Sequence, residues 1–365
     1  MSIILNELQK RKLPNLLCDK NGNGITTVSA WTDNMRPFLK ELILKEEYGQ
    51  LPPYIKPEIS TSTVNVNFAG KATWEKVEFA FTNEKNSYTV PTQLIIPKGK
   101  LNCPFVIYIN FGAEVPHRYI PAEEIIDNGF AFFSVNYNDI TMDNGDFKHG
   151  IAGLFYNGER KADSAGKIAY WAYMAIHMMD YLKERSEAKE SLIGIAGHSR
   201  LGKTALLAAA LDERFDFVCS NNSGCSGVAL SRGCCKGGES LYDIYTRFPF
   251  WFAPNYEKYI NNPELLPFDQ HALLALVAPR MILVGAAYED RWADNDNQFL
   301  ACVAASPIWN LYGKKGFISP DKMPETGDNF NDGDICFHLR SGEHFHSRFD
   351  WNVYMQSVKK YFKLI

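Results

Sequence analysis

The chain has 365 residues, 46% of them apolar, which is ample for a large buried core. Its 38 basic residues are outnumbered by 42 acidic ones, a net charge of −4, and no basic stripe is present, so nucleic acid is excluded as a partner. No stretch nears the ~20 consecutive apolar residues of a membrane span, so no membrane partner is expected either.

The first residues, MSIILNELQKRKLPNLL, lack a basic start, an apolar stretch and a small-residue cleavage site. The expected location is therefore the cytoplasm, the alternative being export with a leader missing from this sequence. Residues 1–58 read as an arm packed on the core. They are irregular apart from a short helix near Arg36–Glu47, and end in the Pro-rich LPPYIKP. Residues 59–365 read as one domain. Thr63–Phe68, Trp74–Thr82 and Tyr88–Ile96 alternate as strands of a meander.

Beyond these the pattern changes. CPFVIYINFG, GFAFFSVNY, IGIAG, DFVCSN, RMILVGA and DICFHL are near-continuous apolar runs, as expected for strands covered on both faces. Helical stretches separate most of them. In the clearest, Gly166–Glu184, residues Ile168, Trp171, Ala175, Met178 and Leu182 recur at steps of three and four. This alternation predicts an α/β fold, a three-layer αβα sandwich around a mostly parallel sheet, with chemistry at the carboxyl ends of the strands. The eight cysteines are Cys18, Cys103, Cys219, Cys225, Cys234, Cys235, Cys302 and Cys336. They show no CxxC pair and no metal-ligand spacing. Several lie in apolar runs and are expected as small buried hydrophobes. The Cys234–Cys235 pair has no assigned role, and no metal or cofactor is implied.

The third apolar run leads into IAGHSRLGKTALLAAAL, a strand that turns sharply into a helix with Ser199 at the corner. This is close to the nucleophile elbow G-x-S-x-G, except that Leu201 holds the second glycine position and Gly202 follows one place later. An ordinary helix cap or a phosphate-binding turn through Gly202 and Lys203 is the plainer reading. The turn lacks the glycines of a phosphate loop, however. The adjacent His198 is expected to bond locally. In α/β-hydrolases the order along the chain is Ser, acid, His. RMILVG runs into AAYEDRWAD, which offers Asp290 first, Glu289 second, and Asp294 as a helix cap. The final DICFHLRSGEHFHSRFDW offers His344 first and His346 second as base, with His338 structural inside the strand and Asp350 capping the last helix. Backbone N–H groups near Arg200 and in the Asn110–Gly112 turn are the candidate oxyanion donors.

Taken together, EEYGQLPP, GHSRLGKTAL, SNNSGCSGVALSR, GES, LPFDQHALLALVAPR, YEDRWAD and SGEHFHSRFDW resemble the glucuronoyl esterases, carbohydrate esterase family 15, from about Lys45 onward. The resemblance implies an α/β-hydrolase fold and hydrolysis of esters of 4-O-methyl-glucuronic acid, as between glucuronoxylan and lignin. The substrate is then a small-molecule or oligosaccharide ester. Arg200 would stabilise the oxyanion, Lys203 and Glu239 would bond sugar hydroxyls, and Trp292 would contact the uronate ring. Some members carry the acid in a segment matching SNNSG. Here that position is Asn222, which leaves Asp290, the site other members use. Read without the resemblance, Lys203 is a solvated helix residue and Glu239 a partner of Arg232. An acetyl xylan esterase or another acyl-sugar esterase is the nearest alternative, and a sugar-binding module without turnover a more distant one.

Overall fold

The computed structural model describes residues 2–64, 68–100 and 102–364. Among these, ten strands form one sheet: β1 (Glu58–Thr63), β2 (Ala72–Thr82), β3 (Ser87–Pro97), β4 (Phe105–Asn110), β5 (Ala131–Asn136), β6 (Ile193–His198), β7 (Phe217–Asn221), β8 (Met281–Ala287), β9 (Asn329–Phe330) and β10 (Ile335–Arg340). Their spatial order is β1-β2-β3-β5-β4-β6-β7-β8-β10-β9. Strands β1 to β3 form the antiparallel meander, and β3 runs antiparallel to β5. From β5 through β4, β6, β7 and β8 to β10 every pairing is parallel. The short β9 closes the far edge antiparallel to β10.

The apolar runs are continuous because the parallel strands are covered on both faces. In β4, Phe105, Ile107 and Ile109 join the core that includes Trp171, Met174 and Met178 of the helix Lys167–Glu184. Val106 and Tyr108 point the other way, into a second core with Trp351 and Tyr354 of the C-terminal helix Arg348–Phe362. Side chains alternate across a strand, so each parallel strand feeds both cores and the sheet becomes the middle layer of the expected αβα sandwich. The helix expected at 166–184 spans Lys167–Glu184 with Gly166 as its N-cap. A Cβ at Gly166 would lie 2.0 Å from the Trp251 carbonyl oxygen, so only glycine permits that approach.

Two expectations need correction. The first strand is Glu58–Thr63, not Thr63–Phe68; residues 65–67 lie outside the described residues, and Phe68–Gly70 is a 3-10 turn. All six positions of β1 are exposed, so no apolar alternation marks it. The first 58 residues are also more helical than the sequence suggests. A helix Ile3–Arg11 starts at Ser2, whose hydroxyl accepts from Leu5 N–H at 3.2 Å. A helical run extends from Val28 to Tyr48 through π-helical turns at Trp31–Met35 and Leu44–Tyr48. Trp31, Ile43 and Tyr48 are buried in the first core.

Candidate active site

Strands β6, β7, β8 and β10 end on the same edge of the sheet, and the candidate residues follow directly from them. Ser199 sits between β6 and the helix Arg200–Leu211 with φ 57° and ψ −129°. This backbone is unfavourable for a residue with a side chain. The glycines around it explain how the corner is made. A Cβ on Gly197 would lie 2.1 Å from the Leu201 carbonyl oxygen. One on Gly202 would lie 3.1 Å from the Gly197 carbonyl oxygen and from Ser223 Cβ. Gly202 therefore supplies the close strand–helix approach, while Leu201 is fully buried in the core beneath. Ser199 N–H donates to the Asn221 carbonyl at 2.8 Å, which ties the corner to β7.

His344 follows β10 and places Nδ1 2.6 Å from Asp290 Oδ2. Asp290 lies just beyond β8 and is 6% exposed. Its burial would raise the carboxyl pKa, but hydrogen bonding to His344, the charge of His344 and a bond from Asn222 together hold it below the ordinary carboxylate value. Asn222 Nδ2 donates to the same Oδ2 at 2.6 Å. The remaining candidates have structural partners. Glu289 accepts from Gly342 N–H. Asp294 caps the helix Asn295–Leu311 by accepting from Asn297 N–H. His346 is buried, bonded to Tyr108 Oη at 3.0 Å and stacked on Trp351 with centroids 4.9 Å apart. Burial holds its imidazole down to about 4. His338 Nε2 lies 2.8 Å from Asp350 Oδ1. The last helix is capped by Ser347 rather than by the expected Asp350, which sits three residues on and completes the reciprocal pair by accepting from Ser347 N–H. His198 is bonded to Asn221 Oδ1 at 2.7 Å and packs 4.4 Å from the His344 ring.

Ser199, Asp290 and His344 line one open cavity of about 320 Å³ together with Arg200, Lys203, Glu239 and Trp292. Lys203 is not a solvated helix residue. It is 4% exposed, and its ammonium donates to the Ser223 carbonyl and, at 2.6 Å, to the Cys225 carbonyl. Burial lowers its pKa, against the pull of the Glu239 carboxylate and other anionic groups. Glu239 does not pair with Arg232, which instead binds Asp269 and the carbonyls of Phe268, Glu264 and Leu266. Burial raises the Glu239 carboxyl pKa, opposed first by Lys203 and then by Trp292. Trp292 is 39% exposed, with the Arg247 guanidinium 4.8 Å from its ring centre.

The Asn110–Gly112 turn does not line this cavity. Asn110 Nδ2 bonds back to the Gly112 carbonyl at 2.7 Å, and Phe111 packs behind Arg200. Of the two places the sequence offered for oxyanion donors, only Arg200 lines the cavity, and its N–H begins a helix and has no intrahelical acceptor. Arg200 is held by groups the sequence did not single out: its guanidinium pairs with Asp143 and lies 4.6 Å from the Trp251 ring centre. No local spacing links Asp143, in the loop after the short helix Tyr137–Ile140 that follows β5, with residue 200. The described residues contain no cluster of His, Cys, Asp and Glu suited to a metal ion, and all eight cysteines are free thiols.

Residues 79–313 match the family model described as "Glucuronyl esterase, fungi", a span that holds Ser199 and Asp290 and stops before His344. A carbohydrate esterase from an unknown prokaryotic organism is 30% identical, over 96% of this chain and 89% of its own length. The 4-O-methyl-glucuronoyl methylesterase of Podospora anserina is 30% identical, over 80% of this chain and 59% of its own. The solved glucuronoyl esterase from Solibacter usitatus superposes with a TM-score of 0.88 at 32% identity, covering 95% of this chain and 97% of that one. The chain belongs to the glucuronoyl esterase family, on the α/β-hydrolase fold.

Proposed function

We propose that the protein is a serine esterase that cleaves esters of glucuronic acid, including its 4-O-methyl form, through an acyl-enzyme on Ser199. The observation that carries this reading is the shared cavity. A serine at a strained corner and the Asp290–His344 pair line the same space as a buried ammonium and a carboxylate suited to sugar hydroxyls.

In this reading His344 Nε2 takes the Ser199 hydroxyl proton as Oγ attacks the uronate carbonyl carbon. Asp290 fixes the proton of His344 on Nδ1 and stabilises the imidazolium that forms. The tetrahedral oxyanion faces the Arg200 guanidinium and the N–H at the start of the helix. A charge-assisted donor there gains strength as the negative charge develops. The C–O bond to the alcohol then breaks, and the alcohol leaves with the proton from His344. Water, deprotonated by His344, cleaves the acyl-enzyme and releases glucuronate. Lys203 donates to a sugar hydroxyl, Glu239 accepts from one, and the Trp292 ring lies against the C–H face of the pyranose.

Hydrolysis of benzyl glucuronate, compared with its galacturonate epimer and with an acetylated xyloside, tests the reading. The expected result is a preference for the glucuronate, lost by about 10⁴-fold or more in Ser199→Ala. Acetate release without uronate-ester cleavage would replace the substrate class with acetyl sugars. Unchanged turnover in Ser199→Ala would remove the mechanism.

A further inference from the structure

The Arg200 side chain must present its donors at one spot, yet it is long and has many rotamers when free. Its surroundings restrict it from two sides. The guanidinium carbon lies 4.6 Å from the Trp251 ring centre, 5.4 Å from that of Phe248 and 5.8 Å from that of Phe111. Phe248 and Trp251 are themselves stacked, with centroids 3.9 Å apart and planes inclined by 3°. An aromatic face orients the plane of a guanidinium but leaves it free to slide and rotate over the ring.

Asp143 supplies the missing restraint. Its Oδ2 accepts from Arg200 Nη1, and its Oδ1 accepts from Trp251 Nε1 at 2.6 Å. One carboxylate thus joins the cation to the ring on which the cation lies. Asp143 is itself held, since its N–H donates to Asn138 Oδ1 at 2.9 Å and the Tyr137 hydroxyl donates to Oδ2 at 3.3 Å. Its side chain is 11% exposed. Arg200 and Trp251 line the cavity and Asp143 does not, so the carboxylate stands behind the guanidinium and away from the substrate.

We propose that Asp143 is a positioning residue for the ester hydrolysis: it locks the Arg200 guanidinium to the Trp251 indole, so that the oxyanion donor is aimed before substrate arrives. The proposal rests on the esterase reading above. Misplacing a preorganised group by about 1 Å costs on the order of 10²-fold in rate, and a donor that acts on the oxyanion is felt in kcat more than in KM.

A double-mutant cycle on benzyl glucuronate tests it. Asp143→Asn is expected to lower kcat by about 10²-fold with KM near that of the parent, and Asp143→Glu to recover part of the loss. In an Arg200→Ala background, Asp143→Asn is expected to lower kcat no further, because the two residues act as a unit. Parent-like kcat in Asp143→Asn, or an effect of undiminished size in the Arg200→Ala background, overturns the proposal. If Asp143→Asn does not fold, Trp251→Phe replaces it in the cycle. That variant keeps an aromatic face, although a smaller one, and removes the Nε1 donor; its effect must likewise vanish in the Arg200→Ala background. A parent no more active than Ser199→Ala defeats the esterase reading itself. An active parent with an unaffected Asp143→Asn defeats only the positioning role.

Discussion

Asp290 Oδ2 accepts two hydrogen bonds of 2.6 Å, one from Asn222 Nδ2 and one from His344 Nδ1. Asn222 has φ 44°, a left-handed conformation that asparagine tolerates better than most residues. Its N–H donates to the Gly285 carbonyl in β8 at 2.7 Å. The amide is thus fixed by the end of the strand that leads to Asp290, and it holds the carboxylate at the angle that meets His344. Asn222→Gly removes the donor while leaving the backbone unstrained. Losing one charge-assisted bond of about 1.5 kcal/mol is expected to lower kcat/KM roughly tenfold. Steady-state rates on benzyl glucuronate at neutral pH measure this, and parent-like rates would show that Asp290 is oriented without Asn222.

The two histidines after β10 are separated by one residue and should behave oppositely. His344→Ala is expected to abolish turnover and leave the fold intact, since His344 is exposed. His346→Ala removes a ring stacked on Trp351 and bonded to Tyr108. It is expected to destabilise the protein by about 2–4 kcal/mol, with the surviving folded molecules still active. Thermal midpoints and activity per folded molecule separate the two outcomes.

A pH effect on stability follows from His177. Its ring is 1% exposed among Tyr54, Phe81 and Tyr173, and neither nitrogen has a hydrogen-bond partner. Burial pushes its pKa down from the ordinary 6.5 to about 4. Below pH 6.5 the unfolded chain binds a proton that the folded chain refuses. Stability is therefore lost as the pH falls from about 6.5 towards 4, by up to roughly 3 kcal/mol from this group. His346 adds a loss in the same direction. His177→Phe is expected to flatten the fall. Urea midpoints between pH 7 and pH 4.5 measure it, and an unchanged slope would mean that His177 is solvated in the folded protein.

The elbow glycines are expected to rank by what a methyl group would meet. At Gly197 it would strike the backbone of the elbow helix itself, so Gly197→Ala is expected to prevent soluble folding. At Gly202 the contacts are tight but not prohibitive, and Gly202→Ala is expected to cost about 1–3 kcal/mol. It should also lower kcat, because the shift acts on Ser199. Yield, thermal midpoint and kcat of the two variants provide the check.

The parallel strands, the elbow, the helix cap at Asp294 and the order serine, acid, histidine are legible in the sequence because each is carried by short stretches. A strand buried on both faces must be apolar throughout, and a sharp corner needs small residues at set distances. The edge strand β1 is not legible, because all its side chains are exposed and leave no burial pattern to read. The choice of His344 over His346, and of Asp290 over Glu289, depended on which side chain entered the cavity and which found a buried or backbone partner. The pairing of Asp143 with Arg200 depended on the packing of a loop from one strand against a helix from another. Contacts of this kind arise when distant segments stack across the sheet, and residue types in a linear chain carry no record of which distant partners they meet.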